Sequence, residues 1–268
     1  MTNQLTKYDD SNKISDDDLS DNDLIKLVED MICEDDLQRA CFHGNFDKVK
    51  KIINSGNYNK EQYPCVIIIA AFYGYVDIIV FLLSKGFDPN ECNSIIFSGN
   101  SALMLFIENN NIDGVIALLR ANCNIEHKNF HDETALLLAV KLGNIEIVQE
   151  LINNGANVNA LNNHEYSPLF VAISIKNADI VTLLINSGAD VNQKTNNLDN
   201  KPTAPLDYAH NTLSIKIDGK YKINKYYIRI IKDLLRAGAK TRYNIDHNQS
   251  GNRPISGNKR SSDEIDSE

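Results

Sequence analysis

The stretch Glu133-Thr134-Ala135-Leu136-Leu137-Leu138-Ala139-Val140-Lys141-Leu142-Gly143-Asn144-Ile145-Glu146-Ile147-Val148 decides the fold. It continues Gln149-Glu150-Leu151-Ile152-Asn153-Asn154-Gly155-Ala156-Asn157-Val158-Asn159. The spacing predicts two short helices joined by a tight turn. Small interior residues such as Ala139 let the first helix pack closely, and Gly143 permits the turn. Ile145, Val148, Leu151 and Ile152 give the second helix an apolar face at helical spacing. Gly155 ends it, since glycine in left-handed geometry commonly terminates helices.

The pattern returns over the next 33 residues. Ser167-Pro168-Leu169 matches the start, Ala172-Ile173 the middle, Asp179-Ile180-Val181 the second helix and Gly188-Ala189-Asp190-Val191-Asn192 the end. Pro168 suits a first helical turn and Ser167 an N-cap. Glycine-type ends at Gly56, Gly86, Asn122, Gly155, Gly188 and Gly238 give steps of 30, 36, 33, 33 and 50. Six units follow, near 36–58, 60–92, 96–127, 129–160, 162–193 and 199–242. The first is a cap around Ala40-Cys41-Phe42-His43-Gly44; the last keeps Ala204-Pro205-Leu206-Asp207-Tyr208-Ala209 and takes an insertion at 211–224. Each unit is too thin to bury its own apolar side, so neighbours must stack.

This period and wording resemble the ankyrin family over roughly residues 36–242. The resemblance implies an all-α repeat solenoid, a stack of helix-turn-helix units with β-hairpin fingers. The sequence departs from the family pattern in places. Ile68, Met104, Leu137 and Phe170 stand where the family's signature carries His. Asn110 and Lys176 replace the turn glycine, and Asn122 the terminal one. Asn tolerates left-handed geometry better than most residues; Lys does not.

The flanks read differently. Residues 1–36 hold 12 acidic and 3 basic side chains, which accounts for the whole formal charge of −9. An acidic disordered head over 1–20 is expected, then a short leading helix over 21–35 built on Leu24, Leu27, Val28 and Met31. The tail 243–268 is expected to be disordered. No apolar run approaches the ~18 residues of a membrane span, and Met1 to Lys13 reads as neither a signal nor a transit peptide. Five widely spaced cysteines, with no Cys-x-x-Cys, fit reduced thiols in an intracellular, cytoplasmic setting. A monomer is expected.

Candidate chemistry is sparse. Cys123, His127 and His131 lie four apart, but no fourth zinc ligand is evident, and they read as ordinary finger residues. Cys41 and His43 lie two apart without an oxyanion-hole motif or acidic orienter. Cys41 aligns with the small interior Ala of other units and reads as core. No phosphate loop, metal motif or nucleophile elbow appears. The sequence thus predicts no enzyme, no cofactor and no metal.

The expected activity is protein binding. By the resemblance, ankyrin arrays bind through finger tips and the face lined by first helices. The two residues before each inter-helix turn lie on that face: Phe42/His43, Phe72/Tyr73, Glu108/Asn109, Lys141/Leu142 and Ser174/Ile175. Phe42, Phe72, Tyr73, Leu142 and Ile175 are apolar where solvent favours polar side chains, which marks an interface. Finger candidates are Phe97, Phe130, His131, His164 and Tyr166. The competing reading is nucleic acid or an acidic partner on Lys216–Arg242, which carries nine basic and two acidic residues. There Tyr221, Tyr226 and Tyr227 would stack on bases, while Ile231, Leu234 and Leu235 read as core. Asn159 and Asn192 sit where the family's asparagines can be hydroxylated, though a hairpin-stabilising role explains them as well. Ser261, before Ser262-Asp263-Glu264, is a weak phosphosite.

Abundant Asn, Ile and Lys suggest an A/T-rich genome. The composition and diverged units resemble ankyrin proteins encoded by giant DNA viruses of amoebae. That resemblance implies a host-facing adaptor in host cytoplasm; residues 1–35 hold no clear F-box to link it to a ubiquitin ligase.

Overall fold

Ser, Thr, Asp and Asn side chains set most of the helix starts; the helices that follow Cys65, Tyr75 and Ala204 begin without a side-chain cap bond. The computed structural model describes residues 35–56, 65–90, 97–196, 202–217 and 220–240, with the isolated positions 26, 29 and 33. Among them are twelve helices in six pairs. The pairs are α1 (Asp36–Phe42) with α2 (Phe46–Asn54), α3 (Val66–Phe72) with α4 (Val76–Ser84), and α5 (Ala102–Glu108) with α6 (Ile112–Arg120). They continue as α7 (Ala135–Leu142) with α8 (Ile145–Asn153), α9 (Pro168–Ser174) with α10 (Ala178–Asn186), and α11 (Pro205–Asn211) with α12 (Lys225–Arg236).

The two helices of a pair start by different means. First helices are capped by Asp35, Ser101, Thr134 and Ser167, whose side-chain oxygens accept from N–H groups two or three residues on. Second helices are capped by Asn45, Asn111, Asn144, Asn177 and Asn224 in the same manner. Whereas Asn224 follows a longer connection through Ile223, the short turns before Asn45, Asn111, Asn144 and Asn177 need a left-handed residue just ahead of that Asn. Gly143 supplies it at φ 78°, Asn110 at 54° and Lys176 at 64°. Lys176 therefore sits where an L side chain costs about 1–2 kcal/mol.

The chain divides into two compact units, residues 1–156 and 157–268. In the first, α1, α3, α5 and α7 pack in succession, and α2, α4, α6 and α8 form a second layer against them. Its core runs through Leu37, Ile67, Ile68, Met104, Phe106, Leu118 and Leu137, all essentially excluded from water. In the second unit α9 packs on α11 and α10 on α12, around Leu169, Ile180, Leu184, Leu206, Ile230 and Leu234. Ile68, Met104, Leu137 and Phe170, at the positions of the family's His, are all buried. The interior alanines Ala70, Ala71, Ala139 and Ala172 have no exposed surface.

Asparagine side chains also stitch neighbouring pairs. Asn109 Nδ2 donates to the Phe72 carbonyl at 2.8 Å, and the Asn124 N–H donates to Asn90 Oδ1 at 2.6 Å. Asn144 Nδ2 donates to Asn110 Oδ1. In the second unit Asn159 Oδ1 accepts from the Asp190 N–H, and Asn192 Oδ1 from the Lys240 N–H, both at 2.8 Å.

Four strands complete the described residues. β1 (Thr195–Asn196) pairs antiparallel with β2 (Pro202–Thr203), Thr195 opposite Thr203. Within the stretch read as an insertion, Asn211 already belongs to α11. The remainder holds β3 (Ser214–Ile217) and β4 (Lys220–Ile223), antiparallel with Ser214 opposite Ile223. The segments 121–134 and 154–167, expected as β-hairpin fingers, are successive turns without strands. Lys26 and Glu29 are helical, and Glu29 meets the α1 end through His43 at 3.2 Å and Arg39 at 3.6 Å. The rest of the leading helix expected over 21–35 lies outside the described residues, as do the head 1–20 and the tail 243–268. Among the described residues no helix is long and apolar enough to cross a membrane.

Candidate docking face

An aromatic cluster forms where α1 and α3 end. The Phe42 and Tyr73 rings meet edge to face at 4.9 Å, Phe72 and Tyr73 at 5.0 Å, and Phe72 lies 4.9 Å from Phe97. The members differ in exposure. Phe72 is 42% and Tyr73 36% exposed, whereas Phe42 is 5% exposed and Phe97 also buried. Phe42 and Phe97, expected as contact residues, are therefore supports: the α1–α3 packing leaves no room for Phe42 to reach solvent. Burial pushes the Tyr73 hydroxyl pKa up, helped by Cys33, Tyr75 and Glu29. It remains a neutral donor at physiological pH.

Phe72 also forms one wall of a groove of about 380 Å³. Leu105 and Leu138 also line it, as does Ser98, together with the polar groups of Asn100, Glu108, Asn129, His131, Glu133 and Lys141. These polar groups form a connected network. Asn129 Oδ1 accepts from the His131 and Glu133 N–H groups at 2.9 and 3.0 Å. Asn129 Nδ2 donates to Asn100 Oδ1 at 3.0 Å, and Asn100 Nδ2 to Glu108 Oε1 at 3.0 Å. The buried Glu133 carboxylate accepts from Lys141 Nζ at 3.0 Å. Reading residues before each turn reached Glu108 and Lys141 but missed Asn100, Asn129 and Glu133. The available signal was Glu133 itself, a carboxylate at the foot of α7 two helical turns before Lys141.

The other candidates are scattered. Phe130 is 63% exposed; its N–H donates to the Ser98 carbonyl at 3.1 Å, and its ring lies over Gly99. His131 lines the groove, and Leu142 is 52% exposed at the end of α7. In the second unit His164 is exposed and leads a ring series, 5.8 Å to Tyr166, then 5.0 Å to Phe170 and 4.6 Å to Tyr208. Ile175 is exposed at the end of α9, beside Lys176, Asp179, Lys225, Tyr226 and Arg229 in a groove of about 460 Å³.

Several sequence expectations change on this geometry. Tyr227 is buried and cannot stack on a base, and Leu235, read as core, is exposed. Asn159 and Asn192 each commit Oδ1 to a backbone N–H. His127 Nε2 lies 2.7 Å from the Gly99 carbonyl, so that ring serves the fold. Burial raises the Cys41 thiol to about 12, with smaller contributions from Asp35 and Cys33, and raises Cys123 to about 11. Both thiols are protonated near neutrality and are poor nucleophiles. Ser261 and Cys92 lie outside the described residues.

Paired helices with left-handed turns, stacked through small interior residues, define a helical-hairpin repeat protein. The family model for ankyrin repeats in three copies matches residues 37–129 and 103–195, and the chain belongs to the ankyrin-repeat family. Among solved structures, an ankyrin repeat domain from Acinetobacter baumannii AYE is 24% identical, with 76% of this chain and 98% of that one covered, at a TM-score of 0.63. The ankyrin repeat domain of Bcl-3, described as a unique member of the IkappaB protein family, is 22% identical over 78% of this chain and 88% of that one, also at 0.63. Those likenesses carry the fold alone. No curated protein matches the sequence. Ankyrin repeats are in general protein–protein interaction scaffolds.

Proposed function

We propose that the chain is a non-catalytic scaffold that docks a partner protein on the face of the first unit. The observation that carries this is the exposure of Phe72 and Tyr73 although ring contacts hold both in place. A held aromatic that remains in solvent loses little conformational entropy on binding, and such residues are favoured interface anchors. Leu142 and Phe130 add exposed apolar surface in the same unit, and His131 a polar contact. The protonated Cys41 and Cys123 thiols support a scaffold without a nucleophile.

The test compares affinity capture from lysate by the wild type and by a Phe72→Ala/Tyr73→Ala variant, read by mass spectrometry. Circular dichroism is expected to be unchanged and the specific partner lost. Equal capture by both proteins removes this face from consideration. Composition and diverged units support the finer reading of a viral monomer acting on a host protein in the cytoplasm.

A second reading draws on the other unit. Lys176, Lys225 and Arg229 gather around the exposed Tyr226, with Asp179 pairing Arg229 at 2.8 Å. That excess of positive charge favours an acidic partner. Neutralising Lys220, Lys222 and Lys225 would then weaken a salt-sensitive interaction, with Ile175 as an apolar neighbour in the groove.

A further inference from the structure

The groove beside Phe72 differs from an ordinary apolar trough in how its charges are disposed. Glu133 is buried and neutralised by Lys141 at 3.0 Å. Glu108 is exposed and, among the described residues, forms no ion pair. Its carboxylate is nevertheless held: Oε1 accepts from Asn100 Nδ2 at 3.0 Å, and the buried Asn100 is fixed in turn by Asn129. An acidic group that is oriented but not neutralised faces the same groove as the exposed Phe72 ring.

We infer that this groove receives a cationic side chain, arginine above all, carried on an extended segment of the partner protein. The inference rests on the proposal that this face is the docking surface. Three features favour a cation. Glu108 supplies an uncompensated negative charge. The Phe72 ring offers a π face, to which a guanidinium is attracted. Helices α3, α5 and α7 all end at this face, in Phe72, Glu108 and Leu142, and helix C-termini carry partial negative charge.

Arginine fits better than lysine because its planar, weakly hydrated head can pair with a carboxylate and stack on a ring together. An anionic segment would find only Lys141, already engaged by Glu133, and His131. Apolar residues flanking the arginine would meet Tyr73 and Leu142, both exposed in this unit.

The test selects phage-displayed random peptides on the immobilised full chain. The strongest clone is then synthesised and its affinity measured by fluorescence anisotropy. Selected peptides are expected to be enriched in arginine. Glu108→Gln is expected to weaken the best peptide by about tenfold, in line with loss of a charge-assisted contact. Glu108→Lys should abolish its binding and accept the same peptide with arginine changed to glutamate. Circular dichroism of both variants controls for folding.

Selection of acidic or uncharged peptides, selection of none, or an affinity indifferent to Glu108→Gln overturns the inference. Phe72→Ala separates the two ideas. If it removes binding while Glu108→Gln does not, the docking face stands and the cation receptor falls. If neither changes the affinity, both fall.

Discussion

Where α3 ends, the first unit leaves Phe72 and Tyr73 in solvent beside the carboxylate of Glu108. Where α9 ends, the second unit leaves Ile175 beside Lys176, Lys225 and Arg229. The two places share one local design: a first helix of seven residues, an Asn cap on the second helix or its substitute, and a left-handed turn. Tyr75 is that substitute in the first case, with no side-chain cap bond. Their surfaces nevertheless differ in sign. Helix-pair geometry depends on buried positions, caps and turn residues, so the face before each turn can vary without disturbing the frame. That separation lets one repeat present an apolar, acidic groove and another a basic one.

The separation breaks most visibly if a frame residue and a face residue cost the same. Phe106→Ala removes a fully buried ring and is expected to cost about 3–5 kcal/mol. Phe72→Ala, at a half-exposed ring, is expected to cost under about 1 kcal/mol while removing partner binding. Urea denaturation of both variants checks this. Equal losses would make Phe72 part of the core and weaken its assignment as an anchor.

A smaller effect tests the frame at a glycine. Gly114 lies inside α6, where alanine ordinarily stabilises a helix by about 1 kcal/mol. A Cβ there would meet Phe106 Cδ1 at 2.2 Å. Gly114→Ala is therefore expected to destabilise by about 1–3 kcal/mol through overpacking. A rise in melting temperature would show that the Phe106 ring can yield.

The smallest effect sharpens the comparison at the turns. Gly74 and Gly143 take φ values of 77° and 78° without penalty, whereas Lys176 takes 64° with a side chain. Lys176→Gly is expected to stabilise the second unit by about 1 kcal/mol, the left-handed cost offset partly by a freer unfolded chain. It would also remove one cation from the basic groove. Thermal melts and a salt titration with an acidic peptide read the two consequences separately.

Much of the frame was readable in advance because it follows from local rules. Thr134 and Ser167 before apolar runs, Asn144 and Asn177 after the turns, and Gly143 and Gly155 at the ends each act within a few residues. The hairpin at 214–223 had a signal too: Asp218-Gly219 between alternating Ile215, Ile217, Tyr221 and Ile223 favours a two-residue turn. The docking face was less readable. Phe42 and Phe72 hold the same position before successive turns, yet one is core and the other half exposed. Their difference depends on what packs across from them, Tyr73 on one side and Phe97 on the other.

The sequence by itself determined the repeat, the helix pairs and the family, because period, caps and turn residues are short-range and recur in register. Only the tertiary structure decided that Asn100, Asn129, Glu108, Glu133 and Lys141 meet in one groove. Those five residues come from two repeats and span 42 positions of sequence. Glu133 with Lys141 and Asn100 with Glu108 each meet within one repeat, but the Asn129–Asn100 hydrogen bond that joins the two pairs exists only after neighbouring helix pairs have stacked, and no local pattern encodes it.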